Sequence, residues 1–204
     1  IILLGGATGV GKSVISAELA SRFGIERIIG TDGIREIMRY MIPQDLLPLL
    51  HESSFKLEKT ITNPFVKNKL IYGFGQQASL VCEGARAFIL RSSKEGLNAI
   101  INGVHLVPGH MKEIVDIKSM HLFHYVLHLS DKDEHIQRFR LRAKESKRDP
   151  ERYIEELGDI RKIQDYLVEM AKKEDIMIIE NEDMETTIRT IMVDITESLE
   201  KEVI

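Results

Sequence analysis

Ile1-Ile2-Leu3-Leu4-Gly5-Gly6-Ala7-Thr8-Gly9-Val10-Gly11-Lys12-Ser13 opens the chain and passes from a strand pattern through a glycine loop to a helix. Ile1 to Leu4 is a short apolar run ending in glycines, the pattern of a buried strand that feeds a tight loop. From Ser13 the spacing changes to that of a helix, with Ile15, Leu19 and Phe23 on one face and Gly24 placed to end it. Between strand and helix, Gly6-Ala7-Thr8-Gly9-Val10-Gly11-Lys12-Ser13 fits G-x-x-x-x-G-K-[ST], the phosphate-cradling P-loop. The glycines let successive amide N–H groups turn inward toward phosphate oxygens, and the helix adds its positive end. Lys12 supplies a point charge for the outer phosphates. Ser13 offers a hydroxyl to Mg²⁺ bridging the β- and γ-phosphates. Residues 6–13 are thus a nucleoside-triphosphate site, with Mg²⁺ as its companion.

Outward from this loop the pattern repeats. Apolar runs recur at Arg27 to Asp32, Ala99 to Val104, Phe123 to Leu129 and Ile176 to Asn181, separated by stretches with helical spacing, the last running to about Lys201. Short buried strands alternating with helices predict an α/β fold of the P-loop NTPase type, a doubly wound parallel sheet in a single domain over 1–204. Roughly 65 residues, 33–97, separate the second run from the third and contain Pro43, Pro48 and Pro64. That is too long for one crossover helix and predicts a helical insertion on the substrate side. The charged segment 131–173 is the candidate lid.

Composition narrows the function. Hydrophobic residues make up 43% and charged residues 29%, the balance of a globular protein rather than a disordered one. No apolar run approaches the roughly 18 residues of a membrane span, so no membrane partner is expected. A formal net charge of -4 argues against a general nucleic-acid binder. The single cysteine, Cys82, leaves no internal disulfide and suits a reducing, cytoplasmic setting. The seven histidines include His124 and His128 on one strand face, but no compact ligand set for a structural metal accompanies them. Oligomeric state leaves no signature in the sequence.

Three regions complete the candidate site. Asp32 is read at the end of the second strand, where it can orient an acceptor hydroxyl or hold Mg²⁺ through water; the competing role is a cap for the helix beginning at Ile34. Arg35 and Arg39 follow in the first turns and can grip an anionic small-molecule acceptor. Arg138 and Arg142 lie one helical turn apart in the lid and can meet charge spreading over the transferred phosphoryl group. Their alternatives are a solvated face paired with Asp131, Asp133 and Glu134, or a basic stripe continued by Lys144, Lys147 and Arg148. His105 follows the third strand at the ligand edge, and His51 stands in the insertion; both are candidate acceptor contacts. Asn181, after the fifth strand, is placed to pass near the base. Met38 and Met41 read as core. The chain lacks the Asn-Lys-x-Asp and Asp-x-x-Gly motifs of a guanine-specific switch.

Four segments in order, Gly5 to Ser13, Thr31-Asp32-Gly33-Ile34-Arg35-Glu36-Ile37-Met38-Arg39, Leu50-His51-Glu52-Ser53-Ser54-Phe55 and Gly103-Val104-His105-Leu106-Val107-Pro108-Gly109, resemble the archaeal 2-phosphoglycerate kinases. The resemblance covers most of the chain and is weakest after Lys147. It implies the fold of the nucleoside-monophosphate kinases, a five-stranded parallel sheet of order 2-3-1-4-5. It also implies ATP-dependent phosphorylation of the 3-hydroxyl of 2-phosphoglycerate to 2,3-bisphosphoglycerate. Some members resemble one another in an upstream ATP-cone regulatory domain, so a preceding regulatory segment is expected here, where the chain opens at Ile1 inside an apolar run. One position departs from the pattern: the third strand should end in an acid that organises the Mg²⁺ shell, and Asn102 stands there. The alternatives are a P-loop kinase for another metabolite such as a sugar or nucleoside, an RNA-linked kinase, and a nucleotide-binding regulatory domain with little turnover.

Overall fold

The computed structural model describes residues 1–111, 120–145 and 149–203; Lys147 and Arg148 lie outside the described residues. Five parallel strands, β1 (Ile2–Gly6), β2 (Arg27–Gly30), β3 (Ala99–Gly103), β4 (Phe123–His128) and β5 (Met177–Glu180), form one sheet of order β2-β3-β1-β4-β5. This is the expected 2-3-1-4-5 order.

Central position explains composition. All five residues of β1 are buried, with β3 and β4 hydrogen-bonded on either side, so its run is continuously apolar rather than alternating. Alternation persists in which core each residue joins. Ile2 and Leu4 belong to the larger cluster, with Ile15 and Leu19 of helix α1 (Lys12–Phe23) and Ile188, Ile191 and Ile195 of α8 (Met184–Val203). Leu3 belongs to the smaller one, with Ile34 of α2 (Thr31–Met41) and Val81, Ala85 and Ile89 of α4 (Lys69–Lys94). Gly24 ends α1 in the left-handed conformation, its N–H bonded to the Ala20 carbonyl.

Between β2 and β3 the chain is helical: α2, then α3 (Pro48–His51), a 3-10 helix (Ser54–Thr60) and α4. Asn68 caps α4, its side chain accepting from the Ile71 N–H. After β4 come α5 (Lys132–Glu145), α6 (Pro150–Glu155) and α7 (Leu157–Lys173). Asp149 caps α6 through the Glu151 N–H at 3.0 Å.

Two expectations are corrected. β2 ends at Gly30, not at Asp32, because Gly30 is the extended N-cap residue and Thr31 already belongs to α2. Asp32 is therefore in the first turn of α2 and caps nothing. Met41 is exposed, at 76%, because it sits at the end of α2, beyond the stripe that Ile34 and Met38 turn toward α4.

The register sets the site. Leu4 of β1 pairs with Asn102, which on its other side pairs with Gly30. The carboxyl ends of β2 and β3 thus arrive level with the start of the P-loop, where ligands of open α/β sheets bind.

Candidate active site

The P-loop leaves β1 at Gly6 and enters α1 at Lys12, with Gly9 at φ 93° and Gly11 at φ 96°. Ala7 and Val10 turn their side chains into the core. The loop is held from behind by its carbonyls. That of Thr8 lies 2.7 Å from Nε2 of His135, and that of Val10 accepts from Asn181 Nδ2 at 2.7 Å and from Arg138 at 3.3 Å. That of Gly11 takes the first amides of α1, from Val14 and Ile15. In a trans peptide the N–H points opposite its carbonyl, so the amides of Gly9, Gly11 and Lys12 face away from these partners.

A cleft of about 540 Å³ opens in front of the loop. One wall is Thr8, Gly9, Lys12 and Ser13. Lys12 folds back so that its ammonium donates to the Ala7 carbonyl at 2.6 Å. Burial draws its pKa down to about 8, with the Asp32 carboxylate opposing that shift and the Arg142 guanidinium adding to it. The facing wall is Gly30, Asp32, Gly33, Arg35 and Glu36 from β2 and α2, with Asn102 and Gly103 from β3 at the floor. Arg35 is anchored by donating to the carbonyls of Leu50 at 3.0 Å and Glu52 at 2.8 Å. Burial lowers its pKa, the Asp32 carboxylate raising it and Arg39 lowering it further. Ser53, Ser54 and Phe55 of the insertion and Arg142, Arg152 and Tyr153 of the lid segments close the rim.

Lys12, Ser13, Asp32, Arg35 and Arg142 are therefore brought to one cleft from separate parts of the chain. Other candidates stand elsewhere. Arg39 pairs with Glu36 at 2.8 Å and does not line the cleft. His51 packs within the insertion, its Nε2 2.9 Å from the Ile42 carbonyl. His105 is fully buried among Thr31, Ser54 and Gln77, so its ring is a structural bridge behind the wall rather than an acceptor contact. Arg138 and Asn181 sit behind the P-loop: besides Val10, Arg138 donates to the Asn181 carbonyl at 2.6 Å and pairs with Glu134 at 2.8 Å. The alternative pairing of the lid arginines with nearby acids thus holds for Arg138. Among the described residues no three His, Cys, Asp or Glu side chains converge to hold a metal ion.

Arg152, Tyr153, Ser53 and His135 were not singled out by the sequence. Arg152 and Tyr153 lie in a densely charged segment, and nothing local marks one arginine from the next. His135 stacks on Phe139 at 4.9 Å, a contact that signals only in three dimensions.

No family model matches the chain. It is 46% identical over 98% of its length to a 2-phosphoglycerate kinase of Thermococcus kodakarensis, covering 67% of that protein. It is 47% identical over 97% of its length to one of Pyrococcus furiosus and 41% identical over 98% to one of Methanocaldococcus jannaschii, covering 64% of each. The chain thus spans about two thirds of the length of these relatives. Among solved structures, the shikimate kinase from Acinetobacter baumannii in complex with shikimate superposes with a TM-score of 0.53 at 14% identity, over 97% of this chain and 93% of that one. An uncharacterized protein from Eubacterium ventriosum gives 0.51 at 15% identity, over 96% and 97%. At these identities the likeness is one of fold. Among the described residues no helix is long and apolar enough to cross a membrane.

Proposed function

Because the chain belongs to the 2-phosphoglycerate kinase family, we propose that it transfers the γ-phosphoryl group of ATP to the 3-hydroxyl of 2-phosphoglycerate, giving 2,3-bisphosphoglycerate and ADP. The observation that carries this reading is the cleft itself, with the P-loop on one wall and the Asp32–Arg35 turn on the other. Phosphoryl transfer needs donor and acceptor held in line with compensating charge, and little covalent help from the protein.

The residues divide accordingly. The P-loop amides and Lys12 hold the outer phosphates of ATP. Asp32 accepts or orients the acceptor's hydroxyl proton, Arg35 binds its anionic end, and Arg142 reaches in from α5 toward charge developing on the transferred group. The oxygen donors fit Mg²⁺, which favours few protein ligands and keeps several waters: the Ser13 hydroxyl would hold it directly and Asp32 through water. When bound, Mg²⁺ neutralises the β- and γ-phosphate oxygens. Asn102 contributes a neutral carboxamide at the end of β3 and Glu36 is paired with Arg39, so the anionic burden rests on Asp32.

The test is ADP release with ATP and a panel of acceptors: 2-phosphoglycerate, 3-phosphoglycerate, glycerate, a sugar and a nucleoside. The expected result is strong stimulation by 2-phosphoglycerate alone. Stimulation by another acceptor would move the reading to a different kinase. Asn102 favours one second reading, a nucleotide-binding domain with little turnover, which would bind ATP and respond to none of the panel.

A further inference from the structure

Among the described residues four cationic side chains line the cleft, Lys12, Arg35, Arg142 and Arg152, and they fall into two groups. Lys12 of the P-loop and Arg142 of α5 act on each other, the guanidinium depressing the ammonium. Arg35 and Arg152 form the second group, and Arg152 is near enough for its charge to lower the pKa of Arg35. Two guanidinium groups lining one cleft repel each other. An anion carrying more than one negative charge, seated between them, converts that repulsion into two charge-assisted contacts.

The positions of both groups are fixed by the fold. Arg35 is tied to the carbonyls of Leu50 and Glu52, which leaves its buried Nε without a protein partner. Arg152 comes from α6. Its guanidinium donates to the Ser53 hydroxyl at 2.7 Å and lies 5.9 Å from the centre of the Phe55 ring, both in the insertion. The next residue, Tyr153, locks that placement: its ring is 5.8 Å from Phe55 and 5.3 Å from Phe139 of α5. Arg152 thus bridges the lid segments to the insertion beside Glu52, whose carbonyl anchors Arg35.

We infer that Arg152, together with Arg35, forms the site for the phosphate already carried by the acceptor, and that Arg152 is what lets the enzyme choose a phosphorylated hydroxy acid over its unphosphorylated analogue. This rests on the kinase reading above and names the subsite within it. A pocket built to pair with a group rejects analogues lacking that group, because its charges are then left without partners.

Two measurements on the full chain test it. In steady-state assays Arg152→Ala should raise the KM for 2-phosphoglycerate on the order of 10²-fold while the KM for ATP stays within about twofold. The preference for 2-phosphoglycerate over glycerate, as a ratio of kcat/KM, should fall by a similar factor, and Arg152→Lys should restore part of it. A loosened lid would instead weaken both acceptors and ATP alike, so an unchanged preference ratio overturns the inference. Calorimetric binding of 2-phosphoglycerate, without ATP, separates the two readings. If the parent binds it and Arg152→Ala does not, while neither turns over, the subsite stands and the kinase assignment falls. Equal binding by parent and variant, or none by the parent, overturns the subsite.

Discussion

The Nδ1 atom of His105 lies 2.8 Å from the hydroxyl oxygen of Thr31, and this contact ties the loop after β3 to the first turn of the helix that carries Asp32. The proton arrangement follows from the neighbours. Gln77 spends both amide hydrogens on the carbonyls of Leu49 and Glu52, so its Oε1 is an acceptor, taking the Ser54 hydroxyl at 2.7 Å. His105 Nε2, 3.2 Å from that same Oε1, must carry the hydrogen, and Nδ1 accepts from Thr31. The ring is neutral, and the network joins α2, the loop after β3, the 3-10 helix and α4 with its polar groups satisfied.

Acid should therefore loosen the fold. Burial brings both His105 and His124 from an ordinary 6.5 down to about 4; for His105, Asp32 opposes the shift while Arg35 and Lys12 assist it. Between these values the unfolded chain takes up protons that the folded one refuses. The histidine contribution to stability is full above about pH 6.5 and is lost progressively as pH falls toward 4, each ring costing roughly 1.4 kcal/mol for every pH step of one across that window. The melting temperature should drop steadily from pH 7 to pH 5, and two imidazole signals in the NMR spectrum should remain neutral at pH 5. Titration of all seven rings near 6.5 would contradict this.

Asp32→Asn should cost about 10² or more in kcat and leave thermal stability nearly unchanged, since Asp32 makes no cap and stands at the mouth of the cleft. Asn102→Asp should do much less. Steady-state kinetics on both variants decide whether the Asp32 carboxylate carries the acceptor's proton.

Lys12, with a pKa of about 8, is partly deprotonated at pH 8 and must be charged to hold a phosphate. Nucleotide binding at that pH should then draw a proton from solution, and affinity should decline as pH rises above 8. Calorimetry in two buffers of different ionisation enthalpy measures the uptake. Lys12→Ala should abolish both the uptake and turnover while keeping the circular dichroism of the parent.

The two lid arginines should part company. Arg142 lines the cleft, so Arg142→Ala should lower kcat more than it raises the KM for ATP. Arg138 holds the carbonyls of Val10, Asn181 and Glu182 behind the loop. Arg138→Ala should lower the melting temperature and weaken ATP binding, and rescue by Lys should be poor because one ammonium cannot span those acceptors and Glu134.

Gly103→Ala should be severely destabilising, by about 3 kcal/mol or more. A Cβ there would fall 1.7 Å from the Thr31 hydroxyl oxygen, displacing the partner of His105. Denaturant melts of this variant beside the parent measure the cost.

The strands, the P-loop and the helical insertion are legible in the linear order of residues, because each is written in neighbouring positions. An apolar run sandwiched by helices, a glycine pattern that only a phosphate loop requires, and prolines too closely spaced for one helix are local facts. The sequence also named Lys12, Ser13, Asp32 and Arg35, all of which line the cleft, although Asp32 belongs to the first turn of α2 and not to the end of β2. The order of the strands came through resemblance and not from periodicity, which carries no information about neighbours in the sheet. The direction each side chain faces is set when distant segments meet in the folded chain. Arg138 and Arg142 are alike in sequence, but one turn of helix puts the first against the carbonyls of the loop after β5 and the second in the cleft. His105 sits at the expected ligand edge, yet packing of Ser54 and Gln77 over it turns a surface candidate into a buried bridge. Arg152 gains its place from Ser53, 99 residues away; such pairings depend on chain closure and side-chain packing, which a linear pattern does not encode.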